Sequence, residues 1–293
     1  MQQGHAIQQK KNMKKRFLAL IAAGVIFVSL NEAAAQVQLP QASSSTTIEQ
    51  AIGIKKVTLV YQRPNLKDRQ AFGELAPYGE VWRTGANNIP VLTFEEEVTI
   101  SGNKVPAGSY GLFTIPRENG DWTVILSSNP KQWGAYQYKQ EEDFLRFDVK
   151  AKTVNDKVET FTMAFENVTP EGADLSIAWD NSKAAFHIAV DQSKEIIASI
   201  EKAMQGEKKP YFQAAQYYFN NNLDIKKAAE WAIKADEGNT QAPHIKYWKA
   251  RIQLKAGDKA AAIKTANEGI AMAKAAGNEE YVKLNTQVLN QAK

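Results

Sequence analysis

Between Lys55 and about Asp191 the chain alternates apolar and polar residues in short runs, the period of a half-buried β-strand. Residues 57–61, 91–94, 122–126, 144–149 and 159–165 are the clearest cases. Turn formers separate the runs at Ser101-Gly102-Asn103, Pro106-Ala107-Gly108, Glu118-Asn119-Gly120-Asp121 and Asp180-Asn181-Ser182. The last of these predicts a hairpin joining residues 175–179 to 184–190. About nine such strands, with no helix long enough for a parallel crossover, predict an antiparallel β-sandwich or flattened barrel over residues 55–191.

Near Gln192 the period changes. Ile196, Ile197, Ile200 and Met204 fall at helical spacing, and helices are predicted over 211–222, 224–236, 243–255, 258–276 and 279–292. Residues 222–229 find a counterpart in residues 256–263, an offset of 34 that is the tetratricopeptide period. Small residues at Ala228, Ala250 and Ala262 suit close helix approach. Residues 192–293 are therefore expected to form about two tetratricopeptide-like helical hairpins, making the chain α+β in two domains.

A third pattern opens the chain. Residues 10–16 are a basic cluster, residues 17–30 an unbroken apolar run, and Ala33 and Ala35 precede Gln36 with the spacing a signal peptidase needs. The run spans about 21 Å as a helix, short of the roughly 30 Å hydrocarbon core, so a cleaved signal peptide is expected rather than an anchor. The expected organisation is a signal peptide over 1–35 (translation starting at Met13), a flexible Gln/Ser/Thr-rich lead-in over 36–54, and the two domains. With no cysteine for lipid attachment, the mature protein is expected in the periplasm or secreted, without a stable membrane span.

Charge then takes on a different meaning. The whole chain is formally +4, but the first 35 residues hold five basic groups and one acidic. After cleavage residues 36–192 carry 15 basic and 20 acidic groups, net −5, and residues 193–293 carry 16 and 11, net +5. A neutral mature chain gives no reason to expect nucleic acid as a partner.

The chemistry is defined first by exclusion. Without cysteine there are no disulfides, thiolate metal sites or thiol nucleophiles. Of the three histidines, His5 precedes the cleavage point, His244 opens a predicted helix, and His187 alternates against Phe186 and Ile188, so it is expected on an outer strand face. No nucleotide-binding, zinc-protease or serine-hydrolase motif occurs, so no metal, no cofactor and no catalytic residue is assigned. Glu80 and Asp143 are the weak candidates for acid–base work.

Residues 63–88 are unusual: Arg63, Arg69, Tyr78, Trp82, Arg83, Thr84 and Asn87 lie among the turn formers Pro64, Gly73, Pro77, Gly79 and Gly85. Two readings stand side by side. Guanidinium groups and aromatic faces suit a polar small molecule or a glycan. Equally, the arginines can tie the loop to backbone carbonyls while Trp82 fills the core. Trp133 and Tyr136, in a second aromatic segment, are expected to complete the same rim if there is one.

Arg63-Pro64, Phe72-Gly73, Pro77-Tyr78-Gly79, the run 81–87, Pro106-Ala107-Gly108, residues 112–116 and residues 132–136 together resemble the DUF2911 family over residues 57–190. The resemblance implies a β-rich exported protein of Bacteroidetes-type bacteria, often with a tetratricopeptide-like tail, and brings no reaction. Asn88 departs from it, standing where a glutamate is usual, and Asp68 replaces a usual glycine. The leading expectation is an exported binding protein whose helical half, residues 193–293, engages a protein partner. The alternatives are an enzyme acting on envelope sugars or peptides through carboxylates near Arg83, and a purely structural β-domain with an interacting tail.

Overall fold

In a computed structural model, residues 39–118, 120–239 and 241–293 are described. The signal peptide expected over residues 1–35 lies outside them. The described chain contains ten strands, then six α-helices. The strands are β1 Ser44–Ile52, β2 Lys55–Arg63, β3 Val91–Phe94, β4 Val98–Ile100, β5 Asn103–Val105, β6 Gly108–Ile115, β7 Asp121–Ser127, β8 Asp143–Lys150, β9 Lys152–Thr169 and β10 Gly172–Ala189. The helices are α1 Ser193–Ala203, α2 Tyr211–Asn220, α3 Ile225–Gly238, α4 Pro243–Lys255, α5 Lys259–Ala275 and α6 Glu279–Ala292.

The strands build two antiparallel sheets, in the orders β1-β2-β3-β6-β7-β8 and β5-β4-β10-β9, with neither closed into a barrel. Alternation places Val57, Leu59 and Tyr61 of β2 and Phe161 and Met163 of β9 in one core between them. The outer face of β6 and β7 is covered as well. Phe113, Ile115 and Ile125 form a second apolar cluster with Ile89, packed against Val81, Ala135 and Tyr138 from the loops.

Two expectations are corrected. The predicted flexible lead-in contributes β1, which pairs with β2 from Ser44 opposite Arg63 to Ile52 opposite Lys55. Its Gln/Ser/Thr composition suits an edge strand with one solvated face, while Ile48 packs on the core and Ile52 joins it. The predicted hairpin at Asp180-Asn181-Ser182 is instead a bulge inside β10, with Asp180 at φ 52° and register shifts on both sides. The turn formers serve other segments there: Asp180 Oδ2 accepts from Ala71 N at 3.2 Å and Asn181 Nδ2 donates to Val154 O at 3.1 Å. The true reversal is Pro170-Glu171, between β9 and β10.

The helices match their sequence pattern closely. Asp224 and Asp258, 34 residues apart, cap α3 and α5 by accepting backbone N–H bonds. Ala228 and Ala262 are both fully buried at the same offset, as are Ala232 and Ala266 to within 3%. Between the halves sits Gln192, 6% exposed. Its Oε1 accepts from Ile54 N at 2.8 Å, and its Nε2 donates to Ile52 O at 3.4 Å and to Glu96 Oε1. Gly53, at φ 62°, leaves no room for a Cβ, which would stand 2.0 Å from Gln192 Oε1.

Candidate ligand-binding cleft

Residues 63–88 form largely a plug. Leu66, Ala71, Phe72, Ala76 and Trp82 are all buried in the main core. Trp82 exchanges backbone hydrogen bonds with Thr114 of β6, at 2.7 and 3.1 Å, and so extends the sheet ahead of the start of β3. The arginines divide. Arg63 Nε donates to Phe161 O at 3.1 Å and its Nη2 to Thr162 Oγ1 at 2.8 Å, tying β2 to β9. Arg69 donates to Leu66 O at 2.8 Å and Asn65 O at 3.0 Å, which closes its own turn. Tyr78 is half-exposed with its ring over Gly73. Arg63, Arg69, Trp82 and Thr84 thus brace the fold and do not line the cleft.

Backbone conformation is unusual at one place. Thr84 is fully buried at φ 51°, a region that β-branched residues rarely occupy, and its Oγ1 lies 3.0 Å from Thr114 Oγ1. Gly85 follows at φ 138°, where a Cβ would stand 2.9 Å from Gln62 O, and Asn87 at φ 55°. These turns aim residues 87–89 at the second loop. Gly134 N donates to Asn87 O at 2.7 Å, Ile89 N to Gln132 O at 3.2 Å, and Asn88 bridges Trp133. The two aromatic segments therefore form one rim.

Beside this rim lies a cleft of about 470 Å³, lined by Gln62, Asn88, Lys131, Gln132 and Trp133 together with Ser45 and Val60. A contiguous hollow of about 400 Å³ adds Asn87 and Ser43. Trp133 is 60% exposed and Tyr136 78%, their rings stacked with centroids 5.8 Å apart and planes at 20°. Arg83 Nη1 lies 3.8 Å from where a Cβ on Gly134 would stand, and its Nε donates to Gly85 O at 3.4 Å. The cleft wall holds one buried polar atom without a partner among the described residues, Gln132 Oε1. The same side chain's Nε2 donates to Asn129 O at 3.1 Å and Glu142 Oε2 at 3.3 Å, which fixes the orientation of the amide. Of the residues singled out in the sequence, Arg83, Asn87, Trp133 and Tyr136 come together here. Gln62, Lys131 and Gln132 were missed, because an isolated amide or lysine carries no motif.

The carboxylates do not converge. Glu80 is exposed next to Gly79, whose N–H donates to Pro116 O just past the end of β6. Asp143 pairs with Ser127, and Ser127 with Gly111 near the start of β6. Five residue steps along the strand, about 16 Å, separate those levels, beyond the spacing that paired carboxylates use on a glycosidic bond. Asp143 is moreover occupied: it accepts from Tyr138 Oη at 2.9 Å and from Arg146 Nη2 at 2.8 Å. Burial, and then the hydrogen bond to Asp143, push the Tyr138 hydroxyl up to about 12. His187 is exposed on β10 with Nδ1 2.7 Å from Asp174 Oδ1. Among the described residues no group of three His, Asp or Glu side chains is placed to hold a metal ion, and no helix is long and apolar enough to cross a membrane.

Residues 43–188 match the model of a family described as protein of unknown function (DUF2911). The β-rich half belongs to the DUF2911 family. No curated protein and no solved structure matches the chain. Both loops of the rim lie inside the DUF2911 match. Asn88 stands on the cleft wall and presents a neutral amide there.

Proposed function

We propose that the protein is exported and binds a polar ligand of the glycan class at the Trp133 cleft. The observation that carries this reading is the joining of two distant loops through Asn88 and Trp133, which leaves two stacked aromatic rings exposed beside a wall of amides. A sugar presents C–H bonds to an aromatic face and hydroxyls to amides at its edge, and this cleft offers both surfaces. Gln132 Oε1 adds a buried acceptor that a ligand hydroxyl or a water can satisfy. The apolar run over residues 17–30 with Ala33 and Ala35 supports export to the periplasm or beyond. The 34-residue equivalence of α3 and α5 supports reading the helical half as a tetratricopeptide-like module that engages a protein.

Calorimetric titration with β-linked gluco-, xylo- and chito-oligosaccharide hexamers tests the cleft. One of these series is expected to bind, and Trp133→Ala to abolish binding while leaving thermal unfolding in place. Binding by none of them, or unaltered binding by Trp133→Ala, refutes the reading.

A further inference from the structure

The helical half carries a cation whose geometry is not explained by its own fold. Arg251 of α4 holds its guanidinium carbon 4.8 Å from the Phe219 ring, 5.2 Å from Tyr247 and 4.6 Å from Trp248. Tyr247 and Trp248 stand one turn earlier on the same helix, and Phe219 belongs to α2. Phe219 and Trp248 meet edge to face at 5.8 Å, so the rings form a continuous cradle. Ring contacts use the faces of a guanidinium and leave its five N–H donors pointing outward in the plane. Among the described residues the Arg251 side chain makes no hydrogen bond and no ion pair, and the residue is partly exposed.

A second cation sits beside it. Lys255, four residues on, places Nζ 4.4 Å from the same Phe219 ring. Its ammonium donates to Phe219 O at 2.8 Å and Asn222 Oδ1 at 2.6 Å, which uses two of its three donors. Like charges at this helical spacing repel, and here the protein pins both in place with rings and neutral acceptors rather than with a carboxylate. Two fixed cations with free donors, on a low-polarity aromatic floor, are preorganised for an anion.

We propose that Arg251 and Lys255 anchor a carboxylate of an acidic peptide segment of a protein partner, whose apolar side chains lie along Tyr247 and Trp248. Charge favours this occupant over a polyanion such as nucleic acid. The helical half is +5, which attracts an acidic segment, while the −5 β-half of the same chain repels a long negative polymer. The cationic centre is also small, one fork and one ammonium bordered by rings, and so matches one or two carboxylates. A guanidinium–carboxylate pair is bidentate and charge-assisted, and the rings raise its strength by excluding water.

The proposal rests on reading the helical half as an interaction module. Its test uses the full chain and two capped hexapeptides, one alternating glutamate with phenylalanine and one alternating glutamine with phenylalanine. Calorimetry is expected to show the glutamate peptide binding about ten-fold tighter than its counterpart, weakening as salt rises. Arg251→Ala is expected to lose about ten-fold in affinity, and Arg251→Lys, which keeps charge without the fork, to fall between. Far-UV circular dichroism checks both variants, and Arg251→Lys alone decides the matter if Arg251→Ala unfolds. Equal binding of the two peptides, absence of binding, wild-type affinity in Arg251→Lys and Arg251→Ala, or equal potency of inorganic phosphate as a competitor each overturns the proposal. The site and the module fail differently. Capture of a partner from an envelope extract that persists in Arg251→Ala removes the Arg251 site alone, whereas a wild-type chain that captures nothing removes the module reading too.

Discussion

Trp82 and Trp179 lie ring upon ring, with centroids 5.7 Å apart and planes only 5° from parallel, and through this contact the loop over residues 63–88 is locked against β10. Phe161 and Phe72 meet Trp82 edge-on at 5.5 and 5.9 Å, completing an aromatic cluster. Offset and edge-to-face contacts of this kind add to the gain from burial itself. The loop is thus fixed from below, while its far end, at residues 87–89, is presented to the cleft.

Two tryptophans of this half should therefore respond oppositely. Trp82, 6% exposed, is expected to cost about 3–5 kcal/mol when changed to alanine, by lost burial and the cavity left behind. Trp133→Ala is expected to fall within about 0.5 kcal/mol of wild type. Urea unfolding followed by circular dichroism measures both, and equal losses would contradict the division between brace and rim.

In the helical half Asp236 Oδ2 accepts from Lys246 at 2.8 Å and from Lys249 at 2.7 Å, with the Asp236 and Lys246 side chains only 8% and 10% exposed. Burial pushes the Asp236 carboxyl up, but the two lysine hydrogen bonds and their charges outweigh it and hold the group below its ordinary 3.8. Asp236→Ala leaves Lys246 buried with only Glu268, 2.9 Å away, and is expected to cost about 3 kcal/mol.

The sign of the acid dependence follows from the same pair. A carboxyl with a lowered folded value stabilises the protein fully above 3.8 and loses that contribution as pH falls through the folded value. Thermal melts are expected to show a shallower fall below pH 3.8 for Asp236→Asn than for wild type; parallel curves would show that the lysine pair does not set it.

Tyr138 gives the opposite end of the scale. Its hydroxyl titrates near 12 in the folded chain against 10.0 ordinarily, so its stabilising effect is complete below pH 10 and is lost as pH climbs to 12. Absorbance titration is expected to lose one late-ionising tyrosine in Tyr138→Phe, and stability of that variant to fall less steeply in the same window. An unchanged late titration would place the raised group elsewhere.

Gly85 sits at φ 138° with the backbone oxygen of Gln62 directly behind it. Gly85→Ala is expected to cost about 1–2 kcal/mol and to shift the cleft wall, since Gln62 Oε1 accepts from Asn88 N at 3.3 Å. Paired measurement of unfolding and oligosaccharide affinity checks it. Loss of stability with intact affinity would separate the turn from the site.

The helices were legible because most carry local signals: Asp224, Asp258 and Asn278 cap three of them, Gly257 and Gly277 follow two, and buried alanines mark inner faces. β1 was missed because an edge strand needs few apolar residues, and only Ile48 and Ile52 betray its inward face. Asp180-Asn181-Ser182 reads as a reversal in one dimension, since bulges and turns draw on the same residue types. At the cleft the aromatic segments could be recognised by composition, but their pairing rests on Asn88 meeting Trp133 across more than forty residues. Periodicity carries no information about such a pairing, and so cannot tell Trp82, which is buried, from Trp133, which is not.

Gln192 makes the junction between the two halves a mechanical joint. Its amide grips Ile52 and Ile54, and Lys55 reaches Glu195 of α1 at 3.4 Å. Tension on the helical half therefore reaches the β-half by two routes, along the backbone into β10 and through Gln192 and Lys55 into the β1–β2 turn, where the paired strands bear it in shear.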